Sequence, residues 1–233
     1  MKLVRIALAL AAPLALAGCL LTPGKFTSDL TINADRTFTF AYKGEVIAVD
    51  PSSQMNSPAE EPAADSTAEE KQAAADKKAE VAKATAELEV KRKAIAGALA
   101  KEAGYRSVAY LGGGKYMIDY ATSGVLTNNF IYPFNSDAEI VIPFIAVEMR
   151  KEGTIRVKAP AFGKSRDKPA GMDMGMPDST DSADGTFTIV TNAEIVMHNN
   201  EDGVKAAGAA KSLVWRVTPL SRDAPVAVLR MRD

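Results

Sequence analysis

The sequence predicts an α+β fold, a mostly antiparallel β-sheet domain with one long Ala/Glu/Lys-rich helical insertion. Three observations predict it. Many short segments alternate apolar and polar residues between Gly, Asn and Asp turn residues. Residues 66–103 contain no proline and only one glycine, and are rich in good helix formers. That stretch follows an early hairpin and precedes all the other strands, so helix and strands are segregated rather than alternating.

Composition narrows the function classes. The chain has 233 residues, 28 Lys+Arg against 29 Asp+Glu, a formal charge of −1, one Cys and one His. That length can bury a substantial core. The balanced charge excludes a strongly basic nucleic-acid binder, so no nucleic acid is expected as partner. A single Cys excludes an intrachain disulfide framework and a Cys-based zinc site. A single His leaves few routes to a His-assisted nucleophile.

The elements follow in chain order. Lys2 and Arg5 precede an apolar run from Ile6 to Ala17, broken by Pro13. Such a run is a secretory signal and is short for a permanent membrane span. It ends in Leu16-Ala17-Gly18-Cys19, which resembles the bacterial lipobox. In that motif small residues admit the peptidase and the Cys thiol is the nucleophile that takes a diacylglyceryl group. An ordinary secretory signal with a chance Cys is the plainer alternative. The resemblance implies a signal peptide over 1–18 and a mature chain of 215 residues beginning at a lipidated Cys19, with a formal charge of −3. Several acyl chains (palmitate among them) give stable attachment where one is marginal, so the membrane is a partner through the lipid. Leu20, rather than Asp, follows the Cys. That favours the periplasm-facing side of the outer membrane and leaves inner-membrane anchoring open.

Residues 19–48 comprise the acylated terminus and a β-hairpin. Phe26, Ser28, Leu30 and Ile32 alternate, Asn33-Ala34-Asp35-Arg36 turns, and Phe38, Phe40 and Tyr42 alternate again. Residues 49–65, with Pro51, Pro58, Pro62 and several acids, have no apolar period and read as a flexible linker. The helix over 66–103 has capping-box pairs Ser66/Glu69 and Thr67/Glu70, and i,i+4 pairs Glu87–Lys91 and Glu89–Lys93. Gly104 supplies its stop. Val81, Leu88 and Ile95 lie seven residues apart, with Lys91 and Ala between, so a self-standing coiled coil is weakly supported. The expectation is that the last four turns pack on the sheet and the first half projects into solvent, available to a protein partner.

Residues 104–233 form the β-rich remainder of the same domain. Val108 and Tyr110, then Tyr116, Ile118 and Tyr120, flank a Gly112-Gly113-Gly114 turn. Ile140 to Val147 reads as a core strand with an edge or bulge at Pro143. Ile155 and Val157, Phe187 and Ile189, Ile195 and Met197, then Leu213, Trp215 and Val217, and Val226 to Leu229 complete the strands. A polar, mobile loop is expected over 163–185. The hairpin from Lys25 to Tyr42, the segment from Ala94 to Tyr120 and the late strand around Trp215, together with the lipobox, resemble LppM-type lipoproteins. The general build more closely resembles that of proteobacterial outer-membrane lipoproteins. The resemblance implies an envelope-anchored β-rich domain and brings no catalytic residues.

Few constellations carry chemistry. Met172, Met174 and Met176 have the spacing of periplasmic copper segments, and thioether sulfur suits Cu(I); His198 could add a donor. Methionines in a Gly/Pro-rich loop need no ligand, however, and a single block is few ligands. Asp178, Asp181 and Asp184 lack the spacing of a Ca²⁺ loop. Ser165 and Lys168 match Ser-x-x-Lys, but the partner motifs of penicillin-binding enzymes are missing. Gly112-Gly113-Gly114-Lys115 lacks the first glycine of a phosphate loop. No catalytic residue, no enzymatic activity and no cofactor beyond the lipid are therefore expected. The leading expectation is a lipid-anchored structural or interaction module. A carrier of an apolar ligand such as lipid, and a copper-binding periplasmic protein, are the alternatives.

Overall fold

A computed structural model describes residues 20–49, 67–133, 143–164 and 181–232. The chain is α+β and mostly β. Strands β1 (Leu20–Ile32) and β2 (Thr37–Val49) form the first hairpin, and helix α1 (Ala68–Leu99) follows. Strands β3 (Tyr105–Gly112), β4 (Lys115–Val125), β5 (Phe130–Tyr132), β6 (Ile145–Met149) and β7 (Thr154–Lys158) come next, then a 3-10 turn at Pro160–Phe162. Strands β8 (Asp184–Thr191), β9 (Glu194–His198), β10 (Lys205–Ala207), β11 (Ala210–Val217) and β12 (Val226–Arg230) complete the order.

The strands divide into two sheets rather than the one that the alternation suggested. The larger has the order β10-β11-β8-β1-β2-β4-β3 and the smaller β5-β6-β7-β12-β9. Alternation says which face of a strand is apolar, not which sheet it joins, because both sheets turn their apolar faces to one interior. One pairing is parallel: β8 lies beside β1, with Phe26 opposite Gly185 and Leu30 opposite Ile189. These strands are more than 150 residues apart in sequence, so no turn signal could announce the pairing. Gly185 fits because the backbones come close; a Cβ there would stand 2.2 Å from the Phe26 carbonyl oxygen.

The hairpin residues behave as their alternation requires. Phe26, Ser28, Leu30 and Ile32 are buried while Thr27 and Asp29 are exposed. Thr37 donates its N–H (3.0 Å) and hydroxyl (2.7 Å) to Asp35 Oδ1 across the turn. Those two bonds hold the Asp35 carboxyl below its ordinary value.

Aromatic rings meet between the sheets. Phe40 meets Phe130 and Tyr132 at 5.3 and 5.0 Å, and Tyr42 meets Tyr132 and Phe144 at 5.2 and 5.6 Å. Phe162 stacks on Phe26 at 4.3 Å and Phe187 on Trp215 at 5.7 Å. Tyr42 and Phe162 are fully buried, and burial raises the Tyr42 hydroxyl well above its ordinary pKa while it donates to Glu45 O at 2.8 Å.

Two strand boundaries and one face assignment differ from the sequence reading. The apolar run at Ile140–Val147 becomes a strand only from Ile145, after Pro143 and the buried Phe144; residues 140–142 lie outside the described residues. The loop expected over 163–185 ends earlier, because Ala183 is fully buried and Asp184 opens β8, where it pairs with Arg216. Residues 165–180 of that loop lie outside the described residues, as do 50–65 of the linker. Ile195 and Met197 do not share a face. The β12 register passes from Val228↔Met197 to Leu229↔Ile195, leaving Val196 as the extra residue of a bulge that turns Met197 outward.

The turn after β9 also joins the two sheets. Asn199 Oδ1 accepts from Trp215 Nε1 (3.2 Å) and from the Val226 N–H (2.9 Å), and its Nδ2 donates to Ala224 O (2.7 Å). Asn199→Ala leaves those three groups without this partner. It is expected to cost about 1–3 kcal/mol and to lower the midpoint of thermal unfolding, followed by the emission of Trp215, the protein's single tryptophan. An unchanged midpoint would show that water replaces the amide at no cost.

Candidate functional site

The described residues that combine burial, charge and an exposed neighbouring surface lie on the seam between α1 and the β3–β4 hairpin. Helical spacing dictates which side chains meet the sheet. Leu88, Glu89, Arg92, Ile95, Ala96 and Leu99 lie on one face at helical spacing and are the buried or half-buried positions of the last three turns. Before Leu88 the helix is exposed, with only Ala74 half-buried among the side chains described. Val81, the first member of the seven-residue series, is 47% exposed. The helix therefore divides as its sparse apolar residues imply, a packed C-terminal part and a free N-terminal part. It ends at Leu99, and the chain turns through Gly104, whose carbonyl accepts from the Ala121 N–H at 2.8 Å.

Arg92 sits in the middle of the packed stripe, and its buried charge requires partners. Nη1 lies 3.3 Å from Glu89 Oε1, and Nη2 is 3.5 Å from Ala48 O at the end of β2. Its Nε is buried without a hydrogen-bond partner. Tyr110 OH donates to Glu89 Oε2 at 2.7 Å and accepts from the Gly114 N–H at 3.0 Å. Tyr116 OH donates to the Arg92 carbonyl at 3.2 Å. Gly114 has φ +78°, and a Cβ on it would stand 2.5 Å from Ala48 O, so the turn needs glycine on both counts. Helix, glycine turn and the end of β2 are thus tied by one polar clasp.

The electrostatics follow from those contacts. The Tyr110 hydroxyl and the Arg92 guanidinium hold the Glu89 carboxyl below its ordinary value. Partial burial and Glu89 push the Tyr110 hydroxyl up, which keeps it a donor. The clasp is therefore a fixed donor–acceptor chain at neutral pH and positions the helix. A carboxyl whose pKa is lowered on folding adds stability above its unfolded value, and that stability is lost as pH falls through the folded value. Urea unfolding of the wild type is expected to show a loss of stability as pH falls below 4.5 that shrinks in Glu89→Gln. Parallel pH profiles for the two proteins would remove Glu89 from the clasp.

The sequence pairing of Glu89 with Lys93 gives way to Arg92 and Tyr110. The available signal was a lone Arg on an apolar stripe. Of the residues singled out for chemistry, Cys19, Met172, Met174 and Met176 lie outside the described residues. His198 closes β9, half-buried, with Nδ1 accepting from the Asn200 N–H at 3.2 Å. Among the described residues no three His, Cys, Asp or Glu side chains gather as a metal site. Gly112-Gly113-Gly114 is the hairpin turn, and Trp215 is a core residue. No helix among the described residues is long and apolar enough to cross a membrane.

A search of solved structures returns the folded domain of LppM from Mycobacterium tuberculosis, determined by NMR. It is similar at a TM-score of 0.33 and 16% identity, over 91% of this chain and 92% of that one. No family model matches the chain, and no curated protein matches it.

Proposed function

We propose that this chain is a lipid-anchored lipoprotein of the cell envelope, on the periplasmic side of the outer membrane, and that it acts as a non-enzymatic interaction module. The observation that carries the reading is the lipobox-like Leu16-Ala17-Gly18-Cys19 that ends the apolar run from Ile6. Lipid on Cys19 supplies the membrane attachment. The free part of α1, exposed and evenly mixed in charge, supplies a surface for a protein partner.

Two measurements on the full chain in a bacterial host test this. Labelled palmitate is expected to enter the wild type and not Cys19→Ser, and Cys19→Ser is expected to leave the membrane fraction. A photo-crosslinker at Val81 is expected to give a defined protein adduct that one at Val125 does not. A wild type without label that fractionates as soluble would end the anchor reading. Identical adducts from both positions would end the helix reading.

A further inference from the structure

The two sheets turn different outer faces to solvent. On the larger one Thr27 stands opposite Thr186, Asp29 opposite Thr188 and Thr31 opposite Thr39, the small polar cover of a solvated sheet. The smaller sheet differs. Ile155, Val157, Ala227 and Leu229 turn to the core, so Arg156 and Val228 turn outward. One row across that outer face reads Glu148, Arg156, Val228 and Met197, each set beside the next by the strand register. Met197 is 44% exposed, and Ile131 on the edge strand β5 is 42% exposed.

Charge around Arg156 is unbalanced. Lys158 lies two residues along the same strand. Arg230 pairs with Thr154, and the Arg150 N–H donates to Thr154 O, so both stand diagonally across from Arg156. Such diagonal positions are about 7–8 Å apart. The two carboxylates beside these cations are already engaged. Glu148 Oε1 meets Lys158 Nζ at 2.9 Å and its Oε2 meets Arg150 Nη2 at 3.4 Å. Both oxygens of Glu194 accept from Arg230 Nη1, at 3.2 and 2.9 Å. Arg156 is the fourth cation. It lies directly opposite Glu148, yet its Nε is buried without a hydrogen-bond partner. A half-buried guanidinium left so is costly unless another molecule supplies the oxygens.

We propose that the outer face of the smaller sheet docks an extended acidic segment of a protein partner, with one carboxylate on the Arg156 fork and an apolar neighbour on Val228 and Met197. A guanidinium gives two parallel N–H···O bonds to one carboxylate. Four cations against two engaged acids select a negative partner and steer its approach. A second copy of this chain would set the same cations face to face, because a two-fold interface is self-complementary. A layer of phosphates would meet Glu148 and Glu194 as well, and would leave Val228 and Met197 without a counterpart. Neither the lipid nor α1 takes part in this contact.

Fluorescence anisotropy of a labelled peptide of alternating Glu and Val, titrated with the full chain in nonionic detergent, tests this. The wild type is expected to bind that peptide and not its Lys–Val counterpart, and to lose affinity as salt is added. Arg156→Gln is expected to weaken binding by about tenfold or more. Arg156→Lys keeps the charge and loses the fork, and is expected to weaken binding to a smaller extent. Lys43→Gln, on the outer face of the larger sheet, is expected to change nothing. Thermal unfolding establishes that each variant is folded; where Arg156→Gln fails to fold, Arg156→Lys carries the comparison. No binding by the wild type overturns the proposal, and so does equal affinity in the wild type and every folded Arg156 variant. Two further results overturn it in favour of another occupant. One is Arg156-dependent binding to phosphatidylglycerol vesicles in place of the peptide, and the other is Arg156-dependent self-association in sedimentation.

Discussion

Phe162→Ala is expected to destabilise the protein by about 3–5 kcal/mol, the range for emptying an aromatic site in a core that cannot collapse. Phe162 belongs to no strand, yet it is fully buried and stands at the meeting point of both layers. It stacks on Phe26 of β1 at 4.3 Å and reaches Phe187 of β8 at 5.7 Å and Phe144, just before β6, at 6.2 Å. Sheets with hydrogen-bonded ladders move little to fill a hole, so the lost contacts are not regained. For a chain of this size the loss corresponds to a midpoint lower by about 10 °C, from 2–4 °C per kcal/mol. Phe162→Leu keeps most of the volume and is expected to cost less than about 1.5 kcal/mol. Thermal unfolding by circular dichroism measures both. Equal midpoints for Phe162→Ala and wild type would mean that the 3-10 turn does not pin the sheets together.

That residue also shows where sequence reading stopped. Local signals were legible: the turn at Asn33–Arg36, the face shared by Phe26, Ser28, Leu30 and Ile32, the glycine turn at 112–114, and the division of the helix near Leu88. Each depends on residues within a few positions of one another, where steric and periodic rules act. The parallel β1–β8 pairing, the split into two sheets and the place of Phe162 depend on residues more than a hundred positions apart. Periodicity carries no information about them. Met197 failed for a smaller reason, since one bulge residue, Val196, reverses every face assignment beyond it. The clasp was half visible. Arg92 interrupts an apolar stripe, which announces a buried charge, but Tyr110, Gly114 and Ala48 reach it only through the fold. Asn199 is a turn residue whose bonds to Trp215 and Val226 come from the junction between the sheets.

Arg92→Ala is expected to release α1 from the sheet while the sheets stay folded. The substitution removes the long stem that packs under the helix and strands Glu89, whose side chain remains 34% exposed. The partial exposure keeps the cost below that of breaking a fully buried pair, at about 2–3 kcal/mol. That loss falls on one seam, because among the described elements α1 packs chiefly against β3. Release from β3 removes the packing that supports the last turns of α1, so the far-UV helical signal of those turns is expected to fall before the Trp215 emission reports loss of the sheets. Arg92→Met separates charge from packing. It keeps a stem, removes the unpartnered Nε and frees Glu89 to take water, so its cost is expected to be under about 1 kcal/mol. Arg92→Met as costly as Arg92→Ala would place the clasp in the ion pair rather than in the stem. A single transition in Arg92→Ala, with helix and Trp215 signals lost together, would make α1 part of the same cooperative unit as the sheets. The clasp would then be one contact among many rather than the feature that aims the free part of the helix.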